Sequence, residues 1–167
     1  MNAGVMIAYL PESGDWCKQD LPHMTLVYCG TIDQLQESDL NTMGKDAISA
    51  ARITGPFSLP VTSVEVFGEG EEAVDVLVLY PTPQLLLARN VVSHWNKSEF
   101  KDFKPHATIG PEGSAFADSV AYYDQSGEVS ESRYQMMKRS TLPDRLYFNR
   151  IAVCWGDKKL IFNTNSF

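Results

Sequence analysis

Histidine and cysteine are scarce in this 167-residue chain, three of each, and that scarcity removes whole classes of chemistry. Cys17, Cys29 and Cys154 are too widely spaced for a CxxC redox pair or a compact Cys/His metal site, and an odd number leaves no complete disulfide set. They are expected to be reduced packing residues, with no metal and no cofactor. No apolar run approaches the roughly 20 residues that span a bilayer. The opening "MNAGVMIAYLPESGDW" lacks the basic start of a signal peptide, so a cytoplasmic protein without a membrane partner is expected. Neither a GxGxxG fingerprint nor a P-loop occurs. Basic residues are in deficit too, 14 Lys and Arg against 21 Asp and Glu, a formal net charge of −7. Proteins that grip long nucleic acids draw much of their affinity from counterions released by a basic face. The balance therefore speaks against long DNA and favours a small or short substrate. The best local basic cluster is Arg133, Lys138, Arg139 and Arg145.

What is present has the make-up of an ordinary soluble domain, 44% hydrophobic and 21% charged, and 1–167 is expected to form one domain. "VMIAYL" (5–10) and "MTLVYCG" (24–30) read as strands, the first closed by Pro11. Helical spacing of Leu40, Met43, Ala47, Ile48 and Ala51 predicts a helix ending at Gly55-Pro56, with Gly44 as a weak point. Residues 57–68 and 73–81 read as a hairpin across the acidic "GEGEEAVD". A second helix is expected over 82–98, with Pro83 in its first turn and Leu86, Leu87, Val91 and Trp95 facing the core. A short strand follows at 106–110, then a long loop over 111–140 of the kind that often serves as a lid or binding element. A last hairpin turns at Gly156-Asp157. The expected order is β β α β β α β, loop, β β.

Two of the three histidines fall in nearly the same tetrapeptide, "PHMT" (22–25) and "PHAT" (105–108), 83 positions apart. In a strand, residues i and i+2 share a face. His23 would therefore project with Thr25, and His106 with Thr108, while Met24 and Ala107 turn into packing. If the two strands lie side by side, two imidazoles and two hydroxyls converge. That set suits phosphodiester cleavage: one imidazole takes the proton of the attacking oxygen and the other protonates the departing one. The hydroxyls donate to non-bridging phosphate oxygens. A purely structural repeat would account for the symmetry but not for the choice of histidine. His94, in "SHWN", has no such surroundings and reads as a surface or core-edge residue.

The paired His-x-Thr motifs, each opening a strand in a chain of this length, resemble the 2H phosphoesterase superfamily. That family includes 2′-5′ RNA ligase-like proteins, cyclic phosphodiesterases and phage enzymes that cut cyclic nucleotide signals. The resemblance is specific over 22–30 and 105–110. It implies an α+β fold of two pseudo-symmetric lobes, each an antiparallel sheet with outer helices, around a central groove. It also implies His23, Thr25, His106 and Thr108 as catalytic residues and a metal-independent mechanism.

The expected activity is hydrolysis of small nucleotide phosphodiesters, 2′,3′-cyclic or cyclic oligonucleotide species, with viral evasion of a host signal as one setting. The partner is then a small nucleotide, cyclic or 2′-linked. The alternatives are an RNA-end processing enzyme of the 2′-5′ RNA ligase-like type, which would call for a basic groove, and a nucleotide-binding module without turnover, which has no need of two proton-transfer groups. Tyr122, Tyr123 and Tyr134 offer rings for base stacking. Lys104, Arg133, Lys138 and Arg139 are candidate phosphate contacts.

Overall fold

The structure, a computed structural model, describes residues 3–98, 102–113 and 142–164. Seven strands and two α-helices follow the expected order: β1 (Gly4–Pro11), β2 (Met24–Thr31), α1 (Glu37–Thr54), β3 (Phe57–Phe67), β4 (Val74–Leu79), α2 (Pro83–Val92), β5 (His106–Pro111), β6 (Arg145–Trp155) and β7 (Lys158–Asn163). All strand pairings are antiparallel, in the order β1-β2-β5-β4-β3-β6-β7 with a further β1–β6 pairing. The α+β, antiparallel architecture is the expected one. Its two halves, β2-β1-β6-β7 and β5-β4-β3-β6, are continuous because β6 serves both. Arg145–Phe148 pair with β3, and Phe148–Trp155 pair with β1. At the crossover the rings of Tyr9, Phe57 and Phe148 pack together, with Tyr9 and Phe57 centroids 4.7 Å apart and Phe57 and Phe148 5.2 Å apart.

Both helices cover one face of the sheet. α1 presents Met43, Ala47, Ala50 and Ala51, and α2 presents Leu85, Ala88 and Val92, to a core that includes Val5, Ile7, Tyr9, Met24, Leu77, Ala107, Ile151 and Val153. Gly44 does not interrupt α1, and its open side faces the ring of Phe162 on β7.

In α2 the buried face differs from expectation. Leu86 and Leu87 are exposed, and Leu85, Ala88 and Val92 are buried instead. Three successive leucines leave the phase of the helix undetermined. The small side chain of Ala88 settles it, because α2 packs closely on the alanine-lined face of α1. Val91 and Trp95 do reach the core edge as expected. The helix begins as expected: Pro83 occupies the first turn, and the Thr82 hydroxyl accepts from the Leu85 N–H at 3.3 Å. It gives way at Ser93–Trp95 to a 3-10 turn.

Among the described residues no helix is long and apolar enough to cross a membrane. Of the cysteines, Cys29 and Cys154 are buried and Cys17 is half-buried, all three as free thiols.

Candidate active site

Strands β2 and β5 touch at one residue pair, Met24 opposite Ala107, and both side chains are fully buried in the core beneath the helices. The alternation of strand residues then fixes the rest. His23, Thr25, His106 and Thr108 project from the other face, and all four are half-buried. Antiparallel register sets His23 opposite Thr108 and Thr25 opposite His106. The two histidines are thus diagonal neighbours across the seam, a relation that spaces Cα atoms by about 7–8 Å. The floor beside them is apolar: Val76 lies opposite Thr108, Val78 opposite His106, and Ala8 opposite Thr25.

The two motifs match in backbone detail beyond their sequence. From Ile7–Val27 to Ala8–Thr25 the pairing advances one residue in β1 and two in β2, so Leu26 is an inserted bulge residue. From Asp75–Gly110 to Val76–Thr108 it advances one in β4 and two in β5, so Ile109 is inserted likewise. Each bulge directly follows the motif threonine, and each inserted side chain is buried in the main core. Bulges raise local twist and re-aim neighbouring side chains, and they are common beside active sites.

Each imidazole is also held in the same way. His23 Nδ1 lies 2.7 Å from the Leu21 carbonyl and His106 Nδ1 lies 2.8 Å from the Lys104 carbonyl, in both cases the residue before the motif proline. Proline confines its predecessor to extended conformations, which places that carbonyl for the bond. A carbonyl can only accept, so Nδ1 carries the proton. Nε2 is left as the nitrogen for proton transfer on both rings.

The surroundings of His106 act on its charge state. Burial lowers the pKa of His106 below the ordinary 6.5, the bond to the Lys104 carbonyl works against this, and the charges of His23 and Lys104 lower it further. The His106 ring meets Phe67 edge-on, with centroids 4.6 Å apart and planes at 62°. Each of these surroundings but the carbonyl bond favours the neutral form of His106, the form that can accept a proton at Nε2.

The loop between β1 and β2 binds the seam from outside. Lys18 N–H donates to the Ile109 carbonyl at 2.7 Å, and the Cys17 thiol donates to the Thr108 carbonyl at 3.3 Å. Trp16 anchors the loop in the core, with its indole N–H on the Ser13 carbonyl. Gly14 sits against Pro22 so closely that a Cβ there would stand 2.3 Å from the proline ring. The loop that leads into the first motif is thus clamped to the strand that carries the second.

Of the other residues singled out from sequence, Lys104 lies beside the site but is engaged by Glu65, Nζ to Oε1 at 2.9 Å. Tyr122, Tyr123, Tyr134, Arg133, Lys138 and Arg139 lie outside the described residues. His94 is a surface residue, 3.2 Å from Asp46, and Arg145 donates to the Ser58 hydroxyl. Among the described residues no cluster of His, Cys, Asp and Glu is arranged to hold a metal ion. Tyr80, Ser63, Glu65 and Phe67 were not legible as site residues. Tyr80 continues the alternation of Val76 and Val78 just past the end of β4, with its N–H bonded to the Pro60 carbonyl, and is 61% exposed. Its signal in the sequence is its place two residues beyond a strand position that pairs with His106.

No protein-family model matches the chain, and no curated protein sequence is similar to it. Solved structures are similar over nearly their whole length. Usb1 of Kluyveromyces marxianus aligns with a TM-score of 0.55 at 12% identity, covering 97% of this chain and 98% of that one. The same protein with uridine monophosphate gives 0.52. LigT of E. coli, complexed with NADP+, aligns at 0.53 and 14% identity, covering 98% of this chain and 95% of its own. At such identities the shared property is the fold, and the fold of this chain is that of the 2H phosphoesterases Usb1 and LigT.

Proposed function

We propose that this protein is a phosphodiesterase that hydrolyses small nucleotide phosphodiesters, of the 2′,3′-cyclic or cyclic oligonucleotide class, by acid–base catalysis between its two motif histidines. One observation carries the reading: two imidazoles, diagonal across the β2–β5 seam, are each pinned through Nδ1 to the carbonyl two residues back. A structural role would not require both rings to present the same nitrogen to the same open face.

In the proposed reaction Nε2 of neutral His106 accepts a proton from water as its oxygen attacks phosphorus. Protonated His23 donates from Nε2 to the departing ribose oxygen as the P–O bond breaks. The product is a phosphomonoester and a free hydroxyl, and the pair ends with its protons exchanged, to be reset by solvent. Each such transfer is typically worth about 10²–10⁴-fold. Thr25 and Thr108, stiff at χ1 within strands, donate to the non-bridging oxygens as charge builds on them. Tyr80, exposed two residues beyond Val78, offers the base an aromatic face. A chain with a net charge of −7 suits a ligand with one or two phosphates better than a long polyanion. The likeness to structures solved with uridine monophosphate and with NADP+ supports a nucleotide ligand for this protein.

The test is turnover in EDTA of a panel of 2′,3′-cyclic mononucleotides, cyclic di- and trinucleotides, 2′-5′ dinucleotides and short RNA. Cleavage of a cyclic species is the expected result. Preference for short RNA would move the protein to end processing, and tight binding without cleavage of any member would make it a binding module.

A further inference from the structure

The two motifs are alike in backbone and unlike in what surrounds their histidines. Around His106 four side chains form a continuous chain of contacts. The Ser63 hydroxyl donates to Glu65 Oε2 at 2.9 Å, and Lys104 Nζ donates to Glu65 Oε1 at 2.9 Å. The ammonium stands 5.3 Å from the centre of the Phe67 ring, and that ring meets His106 edge-on. Lys104 closes the circuit through its backbone, whose carbonyl accepts the hydrogen bond from His106 Nδ1–H. Among the described residues His23 forms no ring contact of this kind. Strand register explains the convergence: Ser63 pairs with Val78 and Glu65 with Val76, the β4 residues opposite His106 and Thr108.

We propose that Glu65 and Lys104 are positioning residues for His106. Glu65, oriented by Ser63, holds the lysine over Phe67, and the Lys104 carbonyl and the Phe67 ring together fix the plane of the imidazole. Lys104 is then an internal brace of the site and not a phosphate contact. Both side chains of the ion pair are more than a third exposed, and such pairs add little to stability. Its consequence is where it leaves the ammonium. The Lys104 ammonium, then the Ser63 hydroxyl, also keep the Glu65 carboxyl below its ordinary range, so the brace stays charged. The charged groups that act on His106 are His23 from β2 and Lys104 from the approach to β5, and Glu65 from β3 is bonded to that lysine.

The proposal rests on the phosphodiesterase reading for its kinetic arm only. With the nucleotide that the wild type cleaves best, Glu65→Gln and Lys104→Gln are each expected to lower kcat roughly tenfold while KM stays within about twofold. That loss is smaller than the 10² that a 1 Å misplacement can cause. The double variant is expected to be little worse than either single one. Titration of the three imidazoles by NMR, assigned with single His→Asn variants, needs no substrate. There Lys104→Gln is expected to move the His106 midpoint upward, because loss of a neighbouring positive charge eases protonation, and to move His94 not at all. A rise in KM with kcat intact for Lys104→Gln, beside a silent Glu65→Gln, would make the lysine a substrate contact and overturn the proposal. So would a His106 titration unmoved by Lys104→Gln. A wild type that turns over nothing defeats the phosphodiesterase reading alone, and the NMR result still decides this one.

Discussion

His23 and His106 take their orientation from the residues just before them. A proline at the preceding position limits what its own predecessor can do, and the carbonyl thus placed receives Nδ1. The motif is therefore better written with its proline and with the buried apolar residue that follows the threonine, since that residue forms the bulge. At this scale the burial of His106 has a measurable sign. His106 is held below 6.5 chiefly by burial. If it is the base, activity is lost as pH falls through its lowered value and Nε2 takes a proton. The acid limb of kcat/KM is accordingly expected to have its midpoint below the ordinary histidine value, read from a pH profile at constant ionic strength. Stability follows the same direction. The unfolded imidazole takes up its proton at a higher pH than the folded one, so His106 makes the fold less stable as pH drops through that window.

At the scale of the element, the seam between β2 and β5 is the critical feature, and it is narrow: one residue pair, Met24 with Ala107, both at 0% exposure. The small side chain on one side admits the large one on the other. Ala107→Leu is expected to destabilise the fold by about 1–3 kcal/mol, the usual cost of overpacking, and to reduce activity much further than that loss of folded protein explains, because it separates the motifs. Chemical denaturation beside kcat on the folded fraction checks this; kcat unchanged in the folded variant would mean that the spacing of the motifs does not matter. The strands themselves were legible, since each carries alternation or a β-rich run bounded by Gly, Pro or Asp. So was the side of the strand on which the four polar residues lie. The pairing of two strands 83 residues apart was legible only as a condition. The buried face of α2 was not, because Leu85, Leu86 and Leu87 satisfy several phases and the choice is made by α1. Nor was the fate of Lys104, whose partner Glu65 lies 39 positions away with no local mark of the contact.

For the molecule as a whole, the shared strand β6 makes the two halves one continuous structure. The aromatic cluster of Tyr9, Phe57 and Phe148 locks the crossover. Tyr9 is so enclosed that its phenol is pushed up to about 12, with its hydroxyl 2.8 Å from that of Thr54. With the halves joined at β6, the β2–β5 seam is the second place where they meet. The net charge of −7 sets the expected salt response. A mononucleotide or cyclic dinucleotide carries no condensed counterion layer to release, so its affinity should fall only weakly with salt. A polyanion binder making 6–10 contacts would fall by roughly that many powers. Binding isotherms between 50 and about 300 mM salt measure the slope, and a steep one would reveal an extended basic track and contradict the small-ligand reading.

The most direct test of the account is the turnover of His23→Asn and His106→Asn on the nucleotide cleaved by the wild type, with folding checked by thermal melting. Acid–base catalysis shared between the two rings predicts that each substitution lowers kcat by at least about 10²-fold. The double variant should be scarcely worse than the singles, since groups that act as a unit are not additive. If either variant kept more than about a tenth of the wild-type kcat, the two imidazoles would not be working as a pair, and the matched motifs would need another explanation.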